Sequence, residues 1–365
     1  MTHQARPEQA LARLNRALPG LRVAGGRELV DALYCITYDQ VLVGRYDKAA
    51  RAANELIAHH LPLLDGATRQ EVQDDAEIWR ALADSPPMTA SLNGPVHLPM
   101  GRSMVGHYTV TASANGIPLD WVFDTGANLT VLNASTAKRV GIKVVDGLAH
   151  TMAGTTGIEN VIHVGVLKDL AIGSAILHDV PVLILDDGAL TISTPKGKYV
   201  ISAAVGYPVM RALRTIAFSG AGGFIANDPS IVPRSKGASL GLAALTPTAS
   251  LEYRGKPIEV SVDTGAQSTT MTSRFSELVR ADQIDEKAVQ IATGGAGGFR
   301  NRRGTVLKDI EFKVGSQSAR LNDLKVFYDA TETTLDMQYG NVGQDLWRDY
   351  DGPIFDFVHG LFYLK

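Results

Sequence analysis

Apolar residues recur at helical spacing in the first part of the chain. Within residues 8–84 such a face passes through Leu11, Leu14 and Leu18, and strand-like alternation is scarce. Side chains three and four positions apart lie on one face of a helix, so this spacing indicates amphipathic helices. The sequence therefore predicts a helical N-terminal extension over residues 1–90.

The pattern changes after a linker-like stretch rich in proline and glycine at residues 85–95. Apolar runs become short and end at turn sequences, as where 183–185 meets the acidic turn 186–188. Short runs of this kind, bounded by glycine and aspartate, are typical of β-strands. We expect a mostly β chain with two β-rich domains, at residues 96–228 and 240–365.

The two β-rich segments repeat one another. Asp-Thr-Gly begins at Asp124 and again at Asp263, each time after an apolar strand that follows a tight-turn sequence. Other landmarks recur in the same order: Val-Leu-Lys-Asp at 166–169 and 306–309, Val-Gly ending at Gly206 and Gly343, and phenylalanine at Phe224 and Phe362. Matching landmarks at nearly constant spacing indicate an internal duplication.

Composition excludes several classes of protein. The 365 residues carry 35 basic and 38 acidic side chains and a net charge of −3. That balance gives no electrostatic case for binding nucleic acid or an anionic membrane surface. No apolar run approaches the roughly 18 residues that a membrane helix needs. Cys35 is the single cysteine, so an intramolecular disulfide is excluded.

The N-terminus bears on localisation. The first residues lack the charged and apolar blocks of a signal peptide. We expect a cytoplasmic protein if Met1 is the natural start, and an exported, periplasmic one if a leader has been removed.

No pattern in the sequence points to a cofactor. The nine histidines show no metal-ligand spacing, and the Gly-x-Ser-x-Gly pattern of serine hydrolases is missing. The glycine run at 294–298 is followed by no Gly-Lys-Ser/Thr, and Arg300 stands where a dinucleotide fingerprint needs its last glycine. The sequence therefore predicts neither a metal nor an organic cofactor.

Asp124 and Asp263 are the candidate catalytic residues. Two carboxylates that share a site cannot both be charged at close range, so they share one proton and titrate as a pair. The ionised member can take a proton from water, while the protonated member can donate to a carbonyl oxygen. Such a pair can activate water for hydrolysis.

The residues after each aspartate are expected to support this pair. Gly126 and Gly265 let backbone amides approach the carboxylates closely. Thr125 and Thr264 can hydrogen-bond across the pair and lock the two loops together.

The run from Asp124 to Leu132, Asp-Thr-Gly-Ala-Asn-Leu-Thr-Val-Leu, resembles the active-site motif of retroviral aspartic proteases. Over residues 96–365 the chain resembles a retropepsin-like aspartic peptidase that is duplicated into a pepsin-like, bilobal single chain. The resemblance implies an acid-protease β-barrel fold and endopeptidase activity on an extended peptide or protein. The resemblance does not extend to the helical N-terminal extension, and the chain lacks the disulfides and the flap tyrosine of pepsin.

The resemblance also implies two flaps that close over the substrate. Gly154 and Thr155 lie in the looser first flap sequence, and Gly295, Ala296 and Gly297 lie in the glycine-rich second one.

Ala127 and Ala266 follow the two Asp-Thr-Gly triplets, where many pepsin-like enzymes carry serine or threonine. A hydroxyl there can donate to the carboxylate and lower the pKa of the pair. The sequence therefore predicts that both donors are missing, that the pair keeps its shared proton to higher pH, and that the optimum is mildly acidic to near neutral.

Three alternatives stay open at this point. The protein could be a catalytically inactive peptide-binding regulator on the same fold, a scaffold whose helices carry the main function, or a duplicated β-protein whose aspartates only cap turns. The helical extension could be a plain cap or a module that binds a partner. We expect it to modulate rather than perform catalysis, so that its deletion leaves a folded core.

Overall fold

The computed structural model describes residues 3–4, 6–152, 159–194, 197–279, 289–295, 298–330 and 338–365. Helices occupy its N-terminal part and strands dominate the rest, so the predicted mostly β fold with an N-terminal helical part is confirmed.

The N-terminal part of the described chain consists of α1 (Pro7–Ala24), α2 (Arg27–Leu42), α3 (Tyr46–His59) and α4 (Gly66–Ala81). Pro7 at the start of α1 has the fixed φ that suits a first helical position. The carboxylate of Asp65 caps α4 by accepting a hydrogen bond from the backbone N–H of Thr68 at 2.9 Å. Shorter helices follow at α5 (Ala134–Arg139), α6 (Tyr207–Ala212) and α7 (Ser273–Ser276), with 3-10 turns at Leu61–Leu63, Pro229–Ile231 and Gln344–Trp347.

The described strands are, in chain order, β1 (His3–Gln4), β2 (Thr89–Leu92), β3 (Val96–Pro99), β4 (Gly101–Arg102), β5 (Tyr108–Ala114), β6 (Ile117–Phe123), β7 (Thr130–Asn133), β8 (Lys143–Met152), β9 (Glu159–Ile172), β10 (Ala175–Leu185), β11 (Thr191–Thr194), β12 (Gly197–Val200), β13 (Ala203–Val205), β14 (Thr215–Ser219), β15 (Gly223–Ala226), β16 (Ala238–Ala243), β17 (Thr246–Tyr253), β18 (Lys256–Val262), β19 (Thr270–Met271), β20 (Val289–Gly295), β21 (Gly298–Val314), β22 (Gln317–Phe327), β23 (Gly340–Val342), β24 (Pro353–Asp356) and β25 (Leu361–Leu364).

Among the described residues these strands form two large sheets and one small hairpin. Sheet I has nine strands in the order β2-β10-β7-β13-β6-β5-β9-β8, with β4 beside β5. Sheet II has fourteen strands in the order β20-β21-β22-β19-β23-β18-β17-β16-β25-β24-β14-β15-β3, with β1 beside β16. The hairpin pairs β11 with β12. Strand β2 lies in the stretch predicted as a linker, where it pairs antiparallel with β10.

Sheet II joins the earlier and later parts of the chain. Its strands β3, β15 and β14 precede residue 230, and β14 pairs antiparallel with β24, placing Ile216 opposite Phe355. The order on either side of this pairing is mirrored, with β15 and β3 beyond β14 and with β25 and β16 beyond β24. Continuous backbone hydrogen bonds therefore fix the two parts relative to each other.

The strands that lead to the two aspartates have equivalent neighbours. Strand β6 pairs antiparallel with β5 and parallel with β13, and β18 pairs antiparallel with β17 and parallel with β23. Phe123 thereby lies opposite Val205, and Val262 lies opposite Val342.

The helices share a hydrophobic core with the outer face of sheet I. The buried members of this cluster, which we call the helical core, include Leu33, Tyr38, Leu56 and Trp79 from the helices and Leu129, Ile162, Val164, Leu183 and Leu185 from sheet I and its loops. Ala244 and Leu245, between β16 and β17 of sheet II, also belong to it. The helices thus pack as an integral layer of the molecule.

Candidate active site

Each aspartate stands where its strand leaves the sheet. The backbone N–H of Asp124 donates to the carbonyl of Val205 at 3.1 Å, and that of Asp263 donates to the carbonyl of Val342 at 2.9 Å. Beyond that bond each chain turns into its Thr-Gly loop. The two strand ends therefore place the two carboxyl groups at equivalent positions.

The glycines show how closely the two loops approach. A Cβ atom added to Gly126 would lie 2.8 Å from Cγ of Asp263, and one added to Gly265 would lie 2.7 Å from Cγ of Asp124. Each glycine N–H also donates to the aspartate two residues before it, at 2.8 Å in both loops. The missing side chains are thus what lets the carboxyl groups face each other.

The two threonines exchange the hydrogen bonds that the sequence predicts. The N–H of Thr125 donates to Oγ1 of Thr264 at 3.0 Å, and the N–H of Thr264 donates to Oγ1 of Thr125 at 2.9 Å. Each hydroxyl then donates to a carbonyl in the opposite strand, Thr125 to Val262 at 2.7 Å and Thr264 to Phe123 at 2.8 Å. Both threonines are fully buried, so four bonds shielded from water lock the loops together.

Two further glycines let a strand pass directly beneath each loop. A Cβ on Gly206 would lie 2.4 Å from the carbonyl carbon of Leu129, and one on Gly343 would lie 2.7 Å from the carbonyl oxygen of Ala266. The Val-Gly sequences that mark the repeat are therefore sites of close backbone contact.

The surroundings of Asp124 favour its protonated form. Burial raises the pKa of the Asp124 carboxyl well above its ordinary value, and the negative charge of Asp263 and a hydrogen bond between the two carboxyls raise it further. The N–H groups of Gly126 and Ala127 act in the opposite direction. Burial also lowers the pKa of His107, against the opposing effect of the Asp263 charge.

Sequence reasoning missed Asn341, whose side chain contacts the pair directly. Its Nδ2 donates to Oδ2 of Asp263 at 3.0 Å, so Asp263 has a side-chain donor from another strand although alanine follows its Asp-Thr-Gly triplet. The signal was present in the repeat, since a polar residue precedes Val-Gly in the second copy where Ala204 stands in the first.

A second group of missed residues ties the segment before β5 to the second loop. Gln344 donates from Nε2 to the carbonyl of Thr264 at 2.8 Å and to that of Gly106 at 3.3 Å. Its Oε1 accepts from Arg102, which also donates to the carbonyl of Gly106 at 2.9 Å. This network connects sheet I to the loop that carries Asp263.

Two pairs of long antiparallel strands flank the predicted flap sequences along the chain. Strands β8 and β9 form the first and β20 and β21 the second, where Gly295 ends β20 opposite Gly298. Gly154, Thr155, Ala296 and Gly297 lie outside the described residues, so their placement at flap tips stays a prediction.

The described residues show neither a metal-binding cluster nor a membrane-spanning helix. Within the described ranges no three His, Cys, Asp or Glu side chains are grouped as metal ligands. No described helix combines the length and the apolarity required to cross a bilayer.

Comparison with known proteins gives one family match. Residues 110–195 match the family model of aspartyl proteases. Among solved structures, a retropepsin-like aspartic protease from Rickettsia conorii is similar to 38% of this chain and 92% of its own, with 16% sequence identity and a TM-score of 0.26. The search of curated proteins returns no match. The loop that carries Asp124 thus lies in a segment similar to aspartyl proteases.

Proposed function

We propose that this chain is an aspartic endopeptidase in which Asp124 and Asp263 activate the water that hydrolyses a peptide bond. The observation that carries the proposal is the pair of Asp-Thr-Gly loops held face to face by reciprocal threonine hydrogen bonds. A turn-capping role would account for each loop alone, but it gives no reason for the two carboxyls to meet. The aspartyl protease match over residues 110–195 supports the same reaction class.

The proposed mechanism needs one proton on the pair. The ionised carboxylate takes a proton from water as the water oxygen attacks the peptide carbonyl, and the protonated carboxyl donates to the carbonyl oxygen. In the resulting tetrahedral diol the C–N bond breaks as one hydroxyl re-forms the carbonyl and returns its proton to the carboxylate that had donated. The proton taken from water passes to the leaving amine. Atoms and charge balance with one water consumed for each bond cleaved.

The proposed organisation is bilobal. Residues 96–228 and 240–365 would each supply one aspartate, and the β8–β9 and β20–β21 hairpins would act as flaps. An extended peptide would pair with the flap strands, which hold it by backbone hydrogen bonds. One chain would then contain a complete site, so specific activity should not fall on dilution.

The test is cleavage of a peptide library from acidic to neutral pH, with and without a statin-type transition-state mimic. Asp124→Asn and Asp263→Asn should each lower turnover by about 10²–10⁴-fold, the range that general acid–base catalysis contributes. Asp323→Asn is the matched control, because Asp323 is exposed and forms a surface ion pair with Lys308. Peptide binding without cleavage at any pH would instead indicate a peptide-binding regulator, and full activity of either site variant would refute the pair.

A further inference from the structure

Asn341 is a buried polar side chain with access to one carboxylate. It lies in β23 between β18 and β19, and only 4% of it is exposed. Its Nδ2 is 3.0 Å from Oδ2 of Asp263. A buried amide in hydrogen-bond contact with a candidate catalytic group affects the charge of that group directly.

The equivalent position in sheet I has no such group. Ala204 lies opposite Val122 in the parallel pairing of β13 with β6, as Asn341 lies opposite Ser261 in the pairing of β23 with β18. Each residue precedes a Val-Gly pair and is buried. The two supports are therefore alike in backbone and differ in one side-chain donor.

Asp263 accepts hydrogen bonds on both of its oxygens. Oδ1 accepts from the N–H groups of Gly265 and Ala266 at 2.8 and 3.0 Å, and Oδ2 accepts from Asn341. An amide N–H offers a proton and no lone pair, so it stabilises the ionised carboxylate more than the protonated one.

We propose that Asn341 is a positioning residue that assigns the negative charge of the pair to Asp263 and leaves the shared proton on Asp124. The inference rests on the proposed peptidase function and adds the roles within it. Asp263 becomes the base that receives the proton of water, and Asp124 becomes the acid that donates to the carbonyl oxygen.

Other charged groups around Asp263 agree with this assignment. Asp124 faces it across the pair, and burial together with the charge of Asp263 raises the pKa of Asp124. His107 approaches from the segment before β5, and burial lowers the pKa of its imidazole. The guanidinium of Arg102 donates to Gln344 and to the carbonyl of Gly106. Within the described part of the chain, Asn341 is thus the side-chain donor that distinguishes the two aspartates.

The experiment is the pH profile of kcat/KM for Asn341→Leu, which keeps the size and removes the donor, and for Asn341→Ala, which copies the first repeat. The acidic limb reports the first ionisation of the pair. It should move up by about one pH unit, the size expected for loss of one charge-assisted hydrogen bond. The basic limb, which reports proton loss from Asp124, should stay in place in both variants.

Two outcomes would overturn the assignment. Movement of the basic limb alone would show that Asp124 is the residue ionised first, and unchanged limbs would show that Asn341 is only structural. Thermal unfolding of both variants shows whether either has lost its fold. If both variants shift the same limb of the pH profile, the cause is the lost donor, because the two side chains differ in volume.

A carbon-13 NMR titration of the aspartate carboxyls tests the same assignment without turnover. The two resonances are identified with Asp124→Asn and Asp263→Asn. The Asp124 carboxyl should stay protonated through the first ionisation of the pair, and Asn341→Leu should raise the midpoint of that first ionisation. If the wild-type chain titrates in this way but cleaves no peptide, the peptidase function fails and the charge assignment stands. If it cleaves peptides and Asp124 titrates first, the assignment fails alone.

Discussion

The two Asp-Thr-Gly loops have the same backbone and different supports. Five positions after the first aspartate, Leu129 is 2% exposed and belongs to the helical core. Five positions after the second, Ser268 is half-buried and outside that core. The first loop is therefore held from outside by apolar contact with the helices.

The second loop is held by polar side chains. Asp345 accepts hydrogen bonds from the N–H and hydroxyl of Thr269 at 2.7 and 2.6 Å, and Gln344 donates to the carbonyl of Thr264. Tyr207 and Pro208 follow the corresponding glycine in the first repeat. The two Asp-Thr-Gly loops are therefore supported differently, the first by apolar packing and the second by hydrogen bonds of polar side chains.

Removing residues 1–90 should have the largest effect, because it takes away the helices that support the first loop. The sequence alone suggested that a folded core would remain, but the deletion would uncover Leu129, Leu183 and Leu185 together with other members of the helical core. Burying each such side chain contributes about 1.5–3 kcal/mol. We expect the truncated chain to lose cooperative unfolding and to aggregate, as measured by calorimetry and size-exclusion chromatography. A monomeric truncated chain that unfolds cooperatively and retains activity would contradict this.

A single substitution at the equivalent position of each loop compares how much the two supports contribute to stability. Leu129→Ala should lower the free energy of unfolding by about 2–5 kcal/mol, since it removes a buried leucine from the helical core. Ser268→Ala removes one hydroxyl from a half-buried side chain outside that core, and it should change the free energy of unfolding by less than about 0.5 kcal/mol. Denaturant unfolding of both variants measures the difference, and equal losses would show that the two loops depend on their surroundings alike.

The glycines should reveal what the loops still share. Gly126→Ala and Gly265→Ala each place a methyl group within 3 Å of the opposite carboxyl. Displacing the carboxyls by about 1 Å can cost about 10²-fold in kcat/KM, and we expect similar losses from both. Gly188→Ala is the control, because among the described residues, apart from its chain neighbours, no atom lies within 4 Å of its added Cβ. A loss confined to one loop would show that the close approach is needed on one side only.

The smallest expected effect concerns stability against pH. The raised pKa of Asp124 means that the folded state binds its proton more tightly than the unfolded state, whose carboxyl titrates near about 3.9. Stability is then lost as pH rises from that value towards the folded pKa. Asp124→Asn removes the titrating group, so the difference in melting temperature between this variant and the wild type should shift in favour of the variant as pH rises above about 4. A gain that is constant with pH would show that Asp124 is not held protonated.

The contact between the two loops could be predicted, because the residues that make it are contiguous in each loop. Asp124, Thr125 and Gly126 recur as a triplet, and the reciprocal threonine bonds follow from bringing two such triplets together. Asn341 could not be assigned in this way, since its contact with Asp263 depends on the pairing of β23 beside β18. The repeat in the sequence identified the position of Asn341, but its contact with Asp263 follows only from the register of β23 against β18.

The surface against which the helices pack could likewise not be predicted from the sequence. Helical spacing identifies an apolar face but does not say what covers it. The face is covered by sheet I and by Leu129 of the first loop. Strand β2 was predicted as part of a linker for a related reason. Its residues 89–92 form a strand by pairing with the edge of β10, and the sequence does not show that pairing.

The difference between Asn341 and Ala204 has a consequence for the direction in which a peptide binds. A peptide has an amino and a carboxyl end, and a site with perfect two-fold symmetry offers the same surroundings to both orientations. A site made from two identical chains keeps that symmetry, because every substitution appears on both sides. In the proposed peptidase the two sides would belong to one chain, and they differ beside the carboxylates. The two orientations of a bound peptide would then have unequal energies, and one would be preferred.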